Sequence, residues 1–203
     1  MPSLPSPRSA LLATFLLPAF ASGQCTPHWQ PGDPQPFASG SVTGMVSWDP
    51  DGTGPLPLQL VVGGASLAAG DLTGANLVTF DGSHWQSLGS LPGTVARLAN
   101  WNGTLVALSQ VNLSQSLYTW NGTTWSSFGS VAGSAYAMAT YNGELVVAGS
   151  FTSINGTSFA NIARWNGSTW SPLGTGVTGI VKALAPFGTA LYAGGTFTAA
   201  GGT

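Results

Sequence analysis

From residue 40 onward the apolar positions fall in short runs broken by glycine and small polar residues, and the runs recur. One marker reads aromatic, Asn or Asp, Gly, Ser or Thr, any residue, Trp, two residues, Leu or Phe, Gly. It occurs as FDGSHWQSLG (80 to 89), WNGTTWSSFG (120 to 129) and WNGSTWSPLG (165 to 174), at offsets of 40 and 45 residues. A second marker is an apolar run often closed by a glycine pair: LQLVVGG (58 to 64), LVALS (105 to 109), LVVAGS (145 to 150) and LYAGG (191 to 195). From Leu60 through Leu105 and Leu145 to Leu191 its spacing is 45, 40 and 46 residues. A third run precedes each copy of the second, as VTGMVSW (42 to 48), VARLANW (95 to 101), YAMATY (136 to 141) and VKALAPF (181 to 187). Three markers keeping one period identify a repeat architecture, and that period governs how every local motif is read.

Each repeat predicts strands only. The runs are short, rich in Val, Leu, Tyr, Phe and Trp, and separated by Asn-Gly, Asp-Gly or Gly-Gly, pairs that supply the positive φ of tight hairpins. In the third repeat, strands are expected near 136 to 140, 145 to 148, 160 to 165 and 170 to 173, with turns at Asn142-Gly143, around Asn155-Gly156 and at Asn166-Gly167. Four antiparallel strands in a meander make the blade of a β-propeller. The expected fold is therefore all-β, with complete blades over 42–88, 95–128 and 136–173 and a partial fourth over 181–203. The turn glycines Gly82, Gly122 and Gly167 and the tryptophans Trp85, Trp120, Trp125, Trp165 and Trp170 are the structural residues of the repeat. Trp120 with Trp125, and Trp165 with Trp170, bracket a turn, where they would pack across it and serve as core between blades.

Four apolar residues, a glycine pair and then spaced aromatics resemble the kelch repeat of the galactose-oxidase-like propellers, and FDGSHW and WNGSTW resemble the Asp-box hairpin of sialidase-type propellers. The blade sequence WNGSTWSPLG, V-x-AL, LYAGGTFTAAGG is similar to that of secreted bacterial propeller-repeat proteins. The resemblance covers roughly residues 40 to 203 and implies the propeller fold. It implies no single function, because propellers host enzymes, lectins and scaffolds alike. Two departures stand out: LVALSQ replaces the glycine pair in the second repeat, and the first blade carries an insertion. Closed propellers have about 4 to 8 blades, so the sequence reads as part of a longer ring. The other reading is closure by self-association.

The chain opens with Arg8, an apolar run from Ala10 to Phe20 and small residues at Ala19, Ala21, Ser22 and Gly23. This is the layout of a secretory signal peptide over 1–21, followed by a Pro-rich segment over 22–40. A transmembrane anchor is the competing reading, but the run is short of the roughly 20 residues needed and contains Pro18. The expected location is therefore outside the cell or at its surface, with no membrane span after cleavage. Cys25, the single cysteine, lacks the small residue that a lipoprotein signal places immediately before it. It is either a tolerated thiol or has a partner outside this sequence.

Composition narrows the function. Charged residues make up 5 % of the chain, against about 25 % in ordinary domains, and the net charge is −2. That excludes a cationic surface for nucleic acid. It also removes the groups most enzymes use as acids and bases. Of the two histidines, His28 lies in the Pro-rich segment and His84 replaces the threonine of the other turns, Thr124 and Thr169. Copper oxidation would need paired histidines with a cysteine beside a tyrosine. Sialic-acid hydrolysis would need an arginine cluster, and only Arg97 and Arg164 follow the leader. Glycoside hydrolysis needs facing carboxyls, and Glu144 is the lone glutamate. Asp49 and Asp51, in DPDGTGP, have the spacing of a calcium loop without its third acidic position or distal glutamate, and a Pro/Gly-rich hairpin insertion explains them equally. Asn102, Asn112, Asn121, Asn155 and Asn166 stand in Asn-x-Ser/Thr sequons, mostly within hairpin turns. No cofactor is implied. The expectation is an exported, non-catalytic module that binds extracellular protein or carbohydrate. The alternative is a propeller enzyme whose site lies in blades outside this sequence.

Overall fold

The computed structural model describes residues 38–201. The leader 1–21, Cys25, His28 and nearly all of the Pro-rich segment lie outside the described residues. Within them every element is a strand: β1 (Ala38–Trp48), β2 (Gln59–Ala69), β3 (Leu72–Phe80), β4 (Trp85–Ser87), β5 (Thr94–Trp101), β6 (Thr104–Val111) and β7 (Ser114–Trp120), followed by β8 (Trp125–Tyr141), β9 (Glu144–Ile154), β10 (Thr157–Ser158), β11 (Ile162–Trp165), β12 (Trp170–Pro172), β13 (Val177–Phe187) and β14 (Ala190–Ala200). All pairings are antiparallel.

The sheets are not separate four-stranded blades. The strands group as a four-stranded sheet (β1-β2-β3-β4), an eight-stranded sheet (β12-β11-β9-β8-β7-β6-β5, with β10 on β9) and a two-stranded sheet (β13-β14), and no closed barrel or ring forms among the described residues. The expected break between 128 and 136 is absent because β8 is one strand of 17 residues. Its first part pairs with β7, Trp120 opposite Trp125 through Gln115 opposite Val131. Its second part pairs with β9, Val131 opposite Ile154 through Tyr141 opposite Glu144. The Gly/Ser-rich link GSVAGSA looks like a loop because it alternates weakly, yet Val131 is buried and anchors the ladder on both sides. A bulge beside Gly133 then turns the strand.

The Asx-Gly pairs make two kinds of turn. At Asn102-Gly103, Asn142-Gly143 and Asn155-Gly156 both residues have positive φ, the two-residue hairpin geometry whose twist matches the strands. At Asp81-Gly82, Asn121-Gly122 and Asn166-Gly167 only the glycine does. There the Asx side chain accepts the N–H groups two and three residues ahead, as Asn121 does from Thr123 (2.9 Å) and Thr124 (2.8 Å). The turn holds its flanking aromatics in tilted contact: the ring centres of Phe80 and Trp85 are 5.0 Å apart, and those of Trp120–Trp125 and Trp165–Trp170 both 5.2 Å.

Consecutive repeats pack through one contact pattern. An aromatic at the end of the first strand of each repeat (β1, β5, β8 and β13, the inner strands) and a β-branched or aromatic residue on its partner face forward. Leu or Met residues from the next repeat face back. Trp48 and Val61 thus meet Leu98 and Leu105, Trp101 and Val106 meet Met138 and Leu145, and Tyr141 and Val146 meet Leu184 and Leu191. Burying such a Leu or Val contributes about 1.5–3 kcal/mol, and Leu105, Val106 and Leu145 are fully buried. A polar latch accompanies each junction. The Trp48 indole donates to Gly103 O (2.8 Å), the Trp101 indole to Gly143 O (2.9 Å) and the Tyr141 hydroxyl to Thr189 O (2.8 Å). Each acceptor lies in the first hairpin turn of the following repeat.

Candidate functional site: a cavity on the inner strands

Each of the inner strands β1, β5, β8 and β13 has a glycine with positive φ in it or next to it: Gly40 and Gly179 are third in β1 and β13, Gly93 immediately precedes β5, and Gly133 lies inside β8. A Cβ at Gly40, Gly133 or Gly179 would stand 2.5 Å from a carbonyl oxygen of the partner strand, so only glycine lets the two backbones meet there. Three residues further on, every inner strand carries a bulge, skipping Thr43, Ala96, Tyr136 and Lys182 in turn. A bulge re-aims its unpaired side chain. Three of these four residues, Thr43, Ala96 and Tyr136, line one cavity of about 620 Å³.

Arg97 supplies the only charge in that lining among the described residues. It follows the bulge of β5, at the position that Gly44, Ala137 and Ala183 fill in the other inner strands. Its Nε donates to Tyr136 O (2.7 Å) and Nη1 to Ala96 O (2.6 Å). Two of its five N–H groups are thereby used to fix the fork, and the others have no acceptor among the described residues. The single ion pair among the described residues is Arg164–Glu144 (3.0 Å), on β11 and β9, so Arg97 has no carboxylate partner there.

Side-chain amides form the opposite wall. Gln115 is buried; its Oε1 accepts Ala135 N (2.7 Å) and its Nε2 donates to Gln110 Oε1 (3.1 Å). Gln110 in turn donates to Asn112 O (3.0 Å). With Thr94, Ser134 and Tyr136 also in the lining, the cavity offers a fixed cation, amides and hydroxyls. Such a set suits hydrogen bonding to a polyhydroxylated or anionic ligand. Among the described residues no histidine, carboxylate or thiol lines it.

The residues singled out from sequence lie elsewhere. Trp120 and Trp125 pack in the junction between the first and second repeats, and Trp165 and Trp170 in that between the second and third. Trp85 packs with Val62, Leu67 and Val78 on the first sheet. The Trp125 indole donates to Leu88 O (2.8 Å) across its junction. Gly82, Gly122 and Gly167 are the positive-φ residues of the Asx-capped turns. Asp49 and Asp51 sit in the β1–β2 loop, where Asp49 accepts Asp51 N (3.2 Å) and Asp51 accepts Leu56 N (3.0 Å). No group of three or more His, Cys, Asp or Glu occurs among the described residues.

His84 lies in a turn with Ser83 and Asp81. The Ser83 hydroxyl is 2.9 Å from His84 Nδ1 and donates to Asp81 (2.7 Å). A hydrolytic triad needs the histidine between serine and acid; here the serine stands between them. The His84 N–H, the Ser83 hydroxyl and the Ser83 N–H together hold the Asp81 carboxyl down at about 2. Asp81 is an ionised turn cap.

Sequence reading missed Arg97, Gln115 and Tyr136 as one constellation. A signal existed for the first: Arg97 breaks the small-residue pattern of its repeat position. Nothing in the sequence places Tyr136 beside it, since that contact depends on how two repeats stack. No protein-family model matches the chain, and no curated protein matches it either.

Proposed function

We propose that this chain is an exported, non-catalytic β-propeller that binds an extracellular carbohydrate or protein group in the cavity around Arg97. The propeller reading is supported by four inner hairpins, β1–β2, β5–β6, β8–β9 and β13–β14, that share a positive-φ glycine and a bulge three residues beyond it. Between them run three junctions of the same pattern. The continuous β8 is compatible with it, because its two halves pair with different neighbours and bend at Gly133. Export rests on the sequence of residues 1–21, and the family resemblance adds the secreted setting.

The observation that carries the binding reading is a pre-fixed guanidinium in a cavity lined by amides and hydroxyls, with no carboxylate among the described lining residues. The experiment is a glycan and peptide array probed with the wild-type chain and with Arg97→Ala. Wild type is expected to retain a ligand with carboxylate or dense hydroxyl groups and show no turnover of it. Arg97→Ala should weaken that binding about tenfold or more, the loss of a charged hydrogen bond. Turnover of the bound glycan would favour the enzyme reading, and equal binding by Arg97→Ala would remove this cavity from the account.

A further inference from the structure

Five Asn-Gly pairs occupy turns of this chain, at Asn102, Asn121, Asn142, Asn155 and Asn166. Each holds the parts of an intramolecular reaction, because glycine has no side chain to shield its amide nitrogen and that nitrogen can attack the neighbouring asparagine Cγ. The fold restrains four of the five. Asn121 and Asn166 accept backbone N–H groups at Oδ1, Asn166 from Ser168 and Thr169 (both 2.9 Å). Asn155 is held at both ends of its amide: Oδ1 accepts Ser130 N (2.8 Å) and Nδ2 donates to Phe128 O (3.0 Å). At Asn102 the amide donates to Gly143 O (2.6 Å), and the Gly103 N–H, whose nitrogen is the nucleophile of that pair, donates to Asn100 Oδ1 (3.0 Å).

Asn142 differs. It and Gly143 are exposed, and neither the Asn142 amide nor the Gly143 N–H has a hydrogen-bond partner among the described residues. A change within the repeat leaves Gly143 uncapped: Thr140 takes the place of Asn100, and its hydroxyl donates to Asn100 O (2.9 Å) instead.

We infer that Asn142 is a self-modification site, the asparagine of this chain that deamidates from the folded state. The Gly143 nitrogen bonds to Asn142 Cγ and gives up its proton, the Cγ–Nδ2 bond breaks, and Nδ2 leaves as ammonia. Water then opens the cyclic imide. Addition at Cγ leaves aspartate, and addition at the Asn142 carbonyl carbon leaves isoaspartate, in which the chain runs through Cβ and Cγ. Gly143 O accepts the Trp101 indole and the Asn102 amide, both from the preceding repeat. Lengthening the turn by a backbone atom therefore displaces the acceptor of the latch between the second and third repeats. The reaction involves neither the ligand cavity nor export, so it stands or falls apart from the proposed function.

The test is incubation of the purified wild-type chain in mildly alkaline buffer. Peptide mass spectrometry follows conversion at each Asn-Gly pair, and backbone fragmentation identifies isoaspartate. In the folded chain Asn142 is expected to convert about tenfold or more faster than each of the other four, which must first break a hydrogen bond. In urea all five should convert at similar rates, because the restraint is gone. Thr140→Asn, which gives Gly143 the cap that Asn100 gives Gly103, should slow Asn142 toward the rate of Asn102. As isoaspartate accumulates, the Trp101 indole N–H should exchange faster while that of Trp48 is unchanged. Conversion at Asn142 no faster than at the other pairs in the folded chain overturns the inference, and this comparison needs no variant. A wild-type rate in folded Thr140→Asn also overturns it, and an unchanged Trp101 indole overturns the link to the junction.

Discussion

Replacing Gly133 by alanine tests why β8 needs a glycine where it closes on β9. Gly133 has φ +117°, and a Cβ there would lie 2.5 Å from Ser150 O and 2.7 Å from Phe151 Cα, both backbone atoms that have no rotamer to move into. Left-handed backbone costs an L-residue about 1–2 kcal/mol, and forcing packed groups apart adds about 1–3 kcal/mol. The expected loss is therefore about 2–5 kcal/mol. Gly156→Ala is the control, because Gly156 has φ +78° with nothing within 4 Å of the added carbon; it should lose only the backbone part. Urea unfolding followed by tryptophan fluorescence gives both values, and an unchanged slope shows that only native-state stability moved. If Gly133→Ala costs no more than Gly156→Ala, the close approach of β8 and β9 at that point is wrong.

Two other substitutions probe single interactions. Asp81→Asn keeps the acceptor that Asn121 and Asn166 provide in the other turns but cannot titrate. A carboxyl held at about 2, below its ordinary 3.8, stabilises the fold above its unfolded value and loses that contribution as pH falls from about 4 through 2. Wild type should therefore lose stability relative to Asp81→Asn across that window in acid titrations followed by circular dichroism, and parallel curves would contradict it. Ser109 fills the place of Gly64, Gly149 and Gly195 and is buried, with its hydroxyl donating to Pro92 O and 3.5 Å from Thr94 O. Ser109→Ala should cost about 1 kcal/mol in the same urea assay through that lost bond; a neutral result would mean the hydroxyl contributes nothing.

The period and the turn chemistry of this fold were legible because both are local. The glycine of Asn142-Gly143, like those of Asn121-Gly122 and Asn166-Gly167, takes the positive φ of a tight turn, and the alternating runs around it pair as antiparallel strands. The continuity of β8 was not legible, since GSVAGSA carries no alternation and becomes a strand only because Gln115 and Ile154 pair with Val131 from either side. The same limit hid the cavity. Arg97 could be seen to interrupt its repeat, but the carbonyl it grips, Tyr136 O, belongs to the next repeat. The departure LVALSQ was visible, and its explanation is a hydroxyl bond to Pro92 that takes the place of a missing glycine.

The stacking of repeats, on which the cavity depends, is most directly tested by hydrogen exchange at the tryptophan indoles, read by NMR on ¹⁵N-labelled chain. Trp48, Trp101 and Trp125 donate to Gly103, Gly143 and Leu88, each acceptor belonging to a neighbouring repeat. If the repeats stack in this way, these three indole N–H groups exchange only through opening of a junction and persist far longer than the indoles of the unfolded chain. Exchange at the unfolded rate for all three, in a chain that still shows its β-sheet signature, would contradict the stacked arrangement.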